Sequence, residues 1–231
     1  MREIALDTET TGLNPKSGHR VVEIGCVEMI NHISTGENFH VYINPQRDMP
    51  EEAFRVHGLS EDFLREHPLF AEVADGFLEF IGDDPLVIHN AAFDMGFLNA
   101  ELERAGKPAL DMARSIDTVK IARKKFPGAQ ANLDALCKRF SIDNSNRELH
   151  GALLDAELLA DVYLELNGGR QTGLGLGGNE DGADASAAEA DQAIKLETRQ
   201  KREPRTFAPS AEELTRHEAF LENLTDPIWK V

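Results

Sequence analysis

The chain has 231 residues, of which 41 are acidic and 24 basic, and its formal net charge is −17. This length accommodates one domain of ordinary size with an appendage, and no apolar stretch approaches the roughly 20 residues that cross a bilayer. Proteins that bind nucleic acid unaided usually carry a basic surface, so the charge argues against such a role for this chain alone. A nucleic-acid function would require bound divalent cations or a basic surface on a partner subunit.

The N-terminus and the cysteines indicate a reducing compartment. Residues 1–4 run directly into a strand-like segment, without the apolar run and small-residue cleavage site of a signal peptide. Cys26 and Cys137 are far apart, lie within apolar patterns and have no CxxC partner. We therefore expect a cytoplasmic protein with no membrane segment and with both thiols buried.

The N-terminal part of the chain predicts three successive strands joined by short turns. They comprise residues 4–6, 21–30 and 39–43. In the second strand Val22, Ile24 and Cys26 alternate with Glu23 and Gly25, as is typical of a strand. Residues 44–59, rich in Pro and Glu, are predicted as a loop.

From residue 70 onward, predicted helices alternate with short strands. The helices are 70–81, 92–105, 119–125, 133–140 and 152–166, and the strands are 86–89 and 115–118. Leu154, Leu158 and Val162 mark the buried face of the last helix, because they recur at helical spacing. This order predicts an α/β fold for residues 1–167.

The composition changes after this body. Residues 168–209 are rich in Gly, Ala and acidic residues, and they cannot bury enough apolar area to fold alone. At Ser210 a capping box with Glu213 predicts the start of a helix, and Asp226-Pro227 ends it. The sequence therefore divides into a body (1–167), a flexible linker (168–209) and a C-terminal helix and tail (210–231).

Four acidic residues stand near the ends of predicted elements. Asp7 and Glu9 lie two apart at the end of the first strand, so their side chains point to the same side of the sheet. Asp94 follows strand 86–89, and Asp155 lies in the last helix. Carboxylates that meet within a few ångströms repel each other, and a hard divalent cation is the usual remedy. We expect Mg²⁺ or Mn²⁺ here, although a strand and capped turn would also explain Asp7 and Glu9 alone.

Three segments resemble the exonuclease motifs of the DEDD superfamily in its histidine variant. They are Asp7-Thr8-Glu9, Asn90-Ala91-Ala92-Phe93-Asp94 and His150-Gly151-Ala152-Leu153-Leu154-Asp155. Segments 38–42, 52–58 and 133–137 resemble the proofreading (epsilon) subunits of bacterial DNA polymerase III, so the resemblance covers nearly all of residues 1–167. It implies a ribonuclease-H-like fold with a mixed five-stranded sheet flanked by helices. The implied activity is 3′→5′ removal of mispaired terminal nucleotides from DNA as monophosphates.

The resemblance also implies the roles of individual residues. In the family, two divalent cations, Mg²⁺ or Mn²⁺, hold the scissile phosphate. Asp7, Glu9 and Asp155 match the direct ligands, and Asp94 matches the fourth acid, which often acts through water. His150 matches the general base, since an imidazole with a pKa of about 6.5 accepts a proton near neutral pH. Its spacing from Asp155 predicts that it lies on the turn before the last helix.

Two more positions match residues that touch the terminal nucleotide in the family. Glu52 suits a 3′-hydroxyl, and His57 suits stacking or a phosphate contact. Together with Asp7, Glu9 and Asp155 they form the expected substrate-binding set.

The C-terminal segments imply protein partners by the same resemblance. Residues 210–231, which contain the single tryptophan, Trp229, resemble the tail that binds the polymerase catalytic (alpha) subunit. Residues Gln171–Leu176 resemble a Q-x-x-L-x-L peptide that binds the sliding clamp, and a linker that happens to contain two leucines fits them equally well.

Two other functions remain open at this point. A free-standing exoribonuclease of the same superfamily has the same body motifs, but it does not need a Gly-rich tether ending in a capped helix. A non-catalytic scaffold between polymerase and clamp does not need an intact set of acids with His150.

Overall fold

The computed structural model describes residues 1–147, 149–169 and 209–223. The chain divides into two units, Met1–Gly178 and Asn179–Val231, and each is considered by itself. Among the residues described, no helix is both long and apolar enough to cross a membrane. Most of the predicted linker, with Gln171–Leu176, and the tail with Trp229 lie outside the described residues.

A mixed five-stranded sheet with the order β3-β2-β1-β4-β5 lies at the centre of the first unit. β1 pairs antiparallel with β2 and parallel with β4, and the outer pairs are β2–β3, antiparallel, and β4–β5, parallel. The bounds are β1 Arg2–Thr10, β2 Val21–Ile30, β3 Ile33–Tyr42, β4 Leu86–Ile88 and β5 Ser115–Asp117. The predicted mixed five-stranded sheet is confirmed.

Seven helices of the first unit and one of the second connect or follow these strands in the described residues. They are α1 Glu51–His57, α2 Glu61–Arg65, α3 Phe70–Ile81, α4 Ala91–Arg104, α5 Thr118–Lys125, α6 Leu133–Phe140, α7 Ala152–Leu166 and, in the second unit, α8 Ala211–Glu222. Short 3-10 turns form at Pro15–Ser17 and Met112–Arg114. α8 begins with the predicted capping box between Ser210 and Glu213.

Helices cover the sheet from both sides, because successive side chains of a strand point to opposite faces. From β1, Ile4 and Leu6 pack into a core that includes Phe77 of α3 and Phe97 of α4. Ala5 points the other way, into a core formed largely by α6 and α7. β1 is therefore enclosed on both faces and holds its side chains in fixed positions.

Three elements differ from the prediction, and the short helix α2 was not predicted at all. β1 continues to Thr10, so Asp7 and Glu9 lie within the strand rather than after it. β3 begins at Ile33 instead of residue 39, since Ile33 already pairs with Ile30 of β2. The predicted loop 44–59 contains helix α1, which follows Pro50 and ends at Gly58, a glycine with φ of 73°. Pro before a helix and a left-handed glycine after it are ordinary boundary signals, but seven residues are too few for a clear apolar period.

Candidate active site

The first turn of α7 lies directly on the sheet. Gly25 of β2 pairs with Asp7 of β1, and a Cβ atom at Gly25 would lie 2.3 Å from main-chain atoms of Ala152 and Leu153. A side chain at this position would therefore push α7 away from the strand. The glycine allows the start of α7, with Asp155, to approach the carboxylates of β1.

Asp94 is fixed against β1 from the other direction. It lies in the first turn of α4, and its Oδ1 accepts hydrogen bonds from the Thr8 N–H at 3.1 Å and the Thr8 hydroxyl at 2.7 Å. Burial raises the pKa of Asp94 to about 7, although the hydrogen bonds from Thr8 act in the opposite direction. The Asp94 carboxyl is therefore fixed in position, but little positive charge offsets the negative charge of its ionised form.

The two acids of β1, Asp7 and Glu9, also have little positive charge near them. Burial raises the pKa of Glu9 to about 8, and the negative charges of Asp155, Glu23 and Asp94 add to this effect. Burial also raises the pKa of Asp7 well above its ordinary range, with further contributions from its acidic neighbours. Such a cluster is stabilised by a cation that lets all its members ionise.

The available ligand atoms fit a divalent cation. One atom each from Glu9, His150 and Asp155 lies within 4.8 Å of the others, and Asp7 and Asp94 border the same cluster. Carboxylate oxygens are the ligands preferred by Mg²⁺, and Mn²⁺ accepts both oxygen and imidazole nitrogen. The donor set therefore matches a hard divalent cation.

His150 lies in the turn before α7, as predicted. Its backbone N–H donates to the Val56 carbonyl at 3.1 Å, which ties this turn to α1. Its ring is 47% exposed, and Nδ1 lies 3.2 Å from Oδ2 of Asp155. The imidazole thus lies against Asp155 at Nδ1, and the ring remains open to solvent.

Arg147 was not predicted to be a site residue. Its Nε and Nη2 atoms lie 2.6 and 2.7 Å from the two oxygens of Asp155, and its Nη1 lies 2.7 Å from Oδ1 of Asp134 on α6. Nη2 is also 2.7 Å from Nδ1 of His150. Burial tends to raise the pKa of Asp155, but the hydrogen bonds from Arg147 and His150 outweigh it and the pKa is lowered.

A fifth carboxylate, which is buried, borders the cluster. Glu23 of β2 is the direct cross-strand partner of Glu9 and is 2% exposed. Its Oε1 lies 2.7 Å from Nε2 of His40 on β3. This residue was missed because an acid that alternates with apolar side chains in a strand resembles an ordinary solvent-facing residue.

A pocket of about 450 Å³ opens beside Glu9. Its walls include Leu13, Phe93, Glu52 of α1 and the buried His57 at the end of that helix. His57 Nδ1 accepts the N–H of Leu59 at 3.1 Å, so the proton of the neutral ring resides on Nε2. The Thr10 carbonyl lies nearby, but Nε2 makes no hydrogen bond of good geometry within the described residues.

The structure brings the predicted residues together in two adjoining groups. Asp7, Glu9, Asp94, Asp155 and His150 form the acidic cluster, and Glu52 and His57 line the pocket next to it. Arg147 and Glu23 join the cluster without having been predicted. The path of the loop before α7 brings Arg147 to the cluster, and the helices that cover β2 bury Glu23. Neither effect is visible in a local sequence pattern.

Comparisons with known proteins agree with this arrangement. Residues 4–163 match a protein family described as exonuclease. The DNA polymerase III subunit epsilon of Rickettsia felis is 52% identical over 229 residues, which cover 97% of each chain.

Two solved structures share the fold. Exonuclease X in complex with 5′ overhanging duplex DNA is 27% identical, with a TM-score of 0.55, and the match covers 71% of this chain and 89% of that chain. The nuclease domain of 3′hExo, a DEDDh family member bound to rAMP, is 19% identical, with a TM-score of 0.62 over 72% of this chain and 92% of that one. The second likeness is one of fold alone, and it matches the predicted ribonuclease-H-like architecture.

Proposed function

This chain belongs to the exonuclease family and, within it, to the epsilon subunits of DNA polymerase III, and we propose that it removes mispaired 3′-terminal deoxynucleotides as monophosphates during replication. The observation that carries this proposal is the meeting of four carboxylates and His150 beside a pocket of about 450 Å³. Membership of a replication complex also favours the bacterial cytoplasm as its location.

Asp7, Glu9 and Asp155 would hold two divalent cations, Mg²⁺ or Mn²⁺, and Asp94 would support them through water. When bound, the cations neutralise the phosphate, lower the pKa of water and stabilise the leaving oxygen. The enclosed β1 and the close packing of α7 on Gly25 keep the ligating carboxylates in place, so little reorganisation accompanies the reaction.

His150 acts as the general base. Its ring is exposed enough to meet a water molecule, and Asp155 orients it through Nδ1 at 3.2 Å. The attacking water forms the new P–O bond and gives its proton to the imidazole as the P–O3′ bond of the preceding nucleotide breaks. The leaving 3′-oxygen then takes a proton from solvent.

The pocket beside Glu9 holds the terminal nucleotide. Glu52 accepts a hydrogen bond from the 3′-hydroxyl, and His57 contacts the terminal nucleotide by stacking or at its phosphate. Leu13, 85% exposed at the rim, packs against the last base. A free 3′ end and an unpaired last base are needed to enter such a pocket, which favours frayed, mispaired termini.

The three segments of the chain have different roles. Residues 1–167 are the exonuclease, 168–209 are a flexible tether and 210–231 bind the polymerase catalytic (alpha) subunit. The polymerase then provides the basic DNA surface that a chain of net charge −17 lacks. The peptide Gln171–Leu176 is a second, weaker contact with the sliding clamp.

Digestion of 5′-labelled oligonucleotides tests the proposal. We expect stepwise shortening of single-stranded DNA from its 3′ end, release of deoxynucleoside monophosphates, and faster removal of a mispaired than of a paired terminus. An RNA of the same sequence should be a poorer substrate. Clear preference for RNA would instead identify a free-standing exoribonuclease, and no digestion with either cation would favour a scaffold.

A further inference from the structure

Arg147 lies at the acidic cluster with nearly all of its hydrogen-bonding capacity in use. Its side chain is 7% exposed, and its guanidinium contacts both oxygens of Asp155, one oxygen of Asp134 and Nδ1 of His150. A two-point contact of this kind is among the strongest that a carboxylate makes in a protein. Asp155 is thereby fully engaged by a positive charge from its own chain.

This arrangement conflicts with cation binding by the same carboxylate. A divalent cation at Asp155 needs at least one of the two oxygens that Arg147 now holds at 2.6 and 2.7 Å. It would also bring a double positive charge next to the guanidinium, which is strongly unfavourable at a buried site. The two positive groups therefore compete for Asp155.

We infer that Arg147 is a positioning residue that takes the place of the cation at Asp155 and must withdraw before a divalent cation binds there. This inference rests on the proposed cation binding by Asp155. In the absence of the cation, Arg147 compensates the charge of Asp155 and holds the loop before α7 against α6. Cation loading is then coupled to a movement of this side chain.

The structure provides a place for the released side chain. Asp134 is 59% exposed on α6 and already accepts from Nη1 of Arg147 at 2.7 Å. The guanidinium can keep this contact while it leaves Asp155, so withdrawal does not isolate its charge.

The same movement affects the position of His150. Nη2 of Arg147 lies 2.7 Å from Nδ1 of His150, and Oδ2 of Asp155 lies 3.2 Å from the same atom. Withdrawal of Arg147 therefore leaves Asp155 as the group that holds the ring at Nδ1.

Nuclear magnetic resonance of the guanidinium groups in the full chain tests the withdrawal directly. The side-chain Nε–H of Arg147, assigned through its loss in Arg147→Lys, should shift or exchange rapidly as Mg²⁺ is added. The amide signals of Asp7 and Glu9 report cation binding over the same range. Arg20 is a matched internal control, because its Nε and Nη2 contact both oxygens of buried Glu101 at 2.6 and 2.7 Å. Its signal should not change.

The outcomes separate this inference from the proposed function. If the amide signals saturate with Mg²⁺ while the Arg147 signal keeps its position and slow exchange, the inference is overturned. If the amide signals do not respond to Mg²⁺ at all, the proposed cation site itself fails.

Calorimetric titration with Mn²⁺ provides a second readout. Arg147→Lys keeps the positive charge but loses the planar guanidinium that contacts both oxygens of Asp155. If Arg147 contacts Asp155 in most molecules of the cation-free protein, this variant should bind Mn²⁺ about tenfold more tightly. Arg20→Lys should leave the affinity unchanged. Equal or weaker Mn²⁺ binding by Arg147→Lys would show that Arg147 only supports the fold and would overturn the inference.

Discussion

At the scale of single residues, the acidic cluster contains groups whose pKa values are shifted in opposite directions. Arg147 and His150 lower the pKa of Asp155, whereas burial raises those of Asp94 to about 7 and of Glu9 to about 8. Without a cation the cluster therefore retains protons near neutral pH. A divalent cation must displace these protons, so its affinity increases as the pH rises.

The pH dependence of stability follows from the pKa of Glu9. Its folded value of about 8 exceeds its ordinary value of 4.5, so between these limits the folded state holds a proton that the unfolded chain has lost. Stability therefore decreases as pH rises through this window. In EDTA we expect Tm to fall by at least about 4 °C from about pH 5.5 to about pH 8.5.

Substitution and cation addition identify the source of this slope. Glu9→Gln should flatten the decrease, and saturating Mg²⁺ should reduce it, because the cation replaces the proton. The exposed Glu37→Gln should leave it unchanged. A slope that is the same in Glu9→Gln as in the wild type would remove Glu9 as its cause.

His150 provides the second test at this scale. His150→Ala should lower kcat by roughly 10²–10⁴-fold, the usual contribution of a general base, with little change in Mg²⁺ affinity. Single-turnover digestion and cation titration measure the two quantities separately. Collapse of Mg²⁺ binding in this variant would make His150 a ligand instead of a base.

At the scale of elements, the decisive feature is the contact of α7 with β2. A Cβ on Gly25 would lie 2.3 Å from the main chain of Ala152 and Leu153, so Gly25→Ala forces the helix outward. We expect a loss of about 1–3 kcal/mol in the free energy of unfolding and a large loss of turnover, because Asp155 moves with the helix. Urea unfolding and digestion assays measure both.

Gly96 of α4 is the matched control for this substitution. A Cβ there would meet no atom within 4 Å, and alanine is favoured over glycine in a helix by up to about 1 kcal/mol. Gly96→Ala should therefore keep both stability and activity. Equal behaviour of the two variants would contradict the role assigned to Gly25.

Sequence patterns predicted the α/β order and the acids that the elements carry, because apolar periods and motif spacing are local properties. They did not predict the contact of Arg147 with Asp155, which depends on the path of the loop between α6 and α7. Nor did they predict the burial of Glu23, which depends on the helices that cover β2. Helix α1 was missed because it is too short to display a period.

At the scale of the whole molecule, the net charge of −17 agrees with the proposed role of a partner that provides the basic DNA-binding surface. The proposed cation site would offset the charge of one phosphate, but the exonuclease body is acidic overall. In the second unit, α8 leaves Leu214 and Phe220 48% and 58% exposed. An isolated helix of 12 residues is marginal in water, so a partner that covers these side chains would stabilise it.

Truncation tests this proposed role of a partner. Residues 1–167 should digest single-stranded DNA like the full chain but lose the polymerase catalytic subunit. Trp229→Ala in the full chain should weaken that complex by about 2 kcal/mol or more, as expected for a tryptophan at a binding hot spot. Glu212→Ala, on the side of α8 opposite Leu214, is the control and should bind normally. Unchanged binding by residues 1–167 would place the interface on the body.

The most direct test of the whole account is cation-dependent excision of a mispaired 3′ terminus by the wild type, Asp7→Ala and Asp155→Ala. Each variant loses a proposed cation ligand while the body stays folded, since removing one acid from the cluster also relieves repulsion. We predict that EDTA stops the wild type, that Mg²⁺ or Mn²⁺ restores it, and that neither variant recovers activity with either cation. Near-normal turnover by either variant in Mg²⁺ would contradict the assignment of the acidic cluster as the catalytic centre.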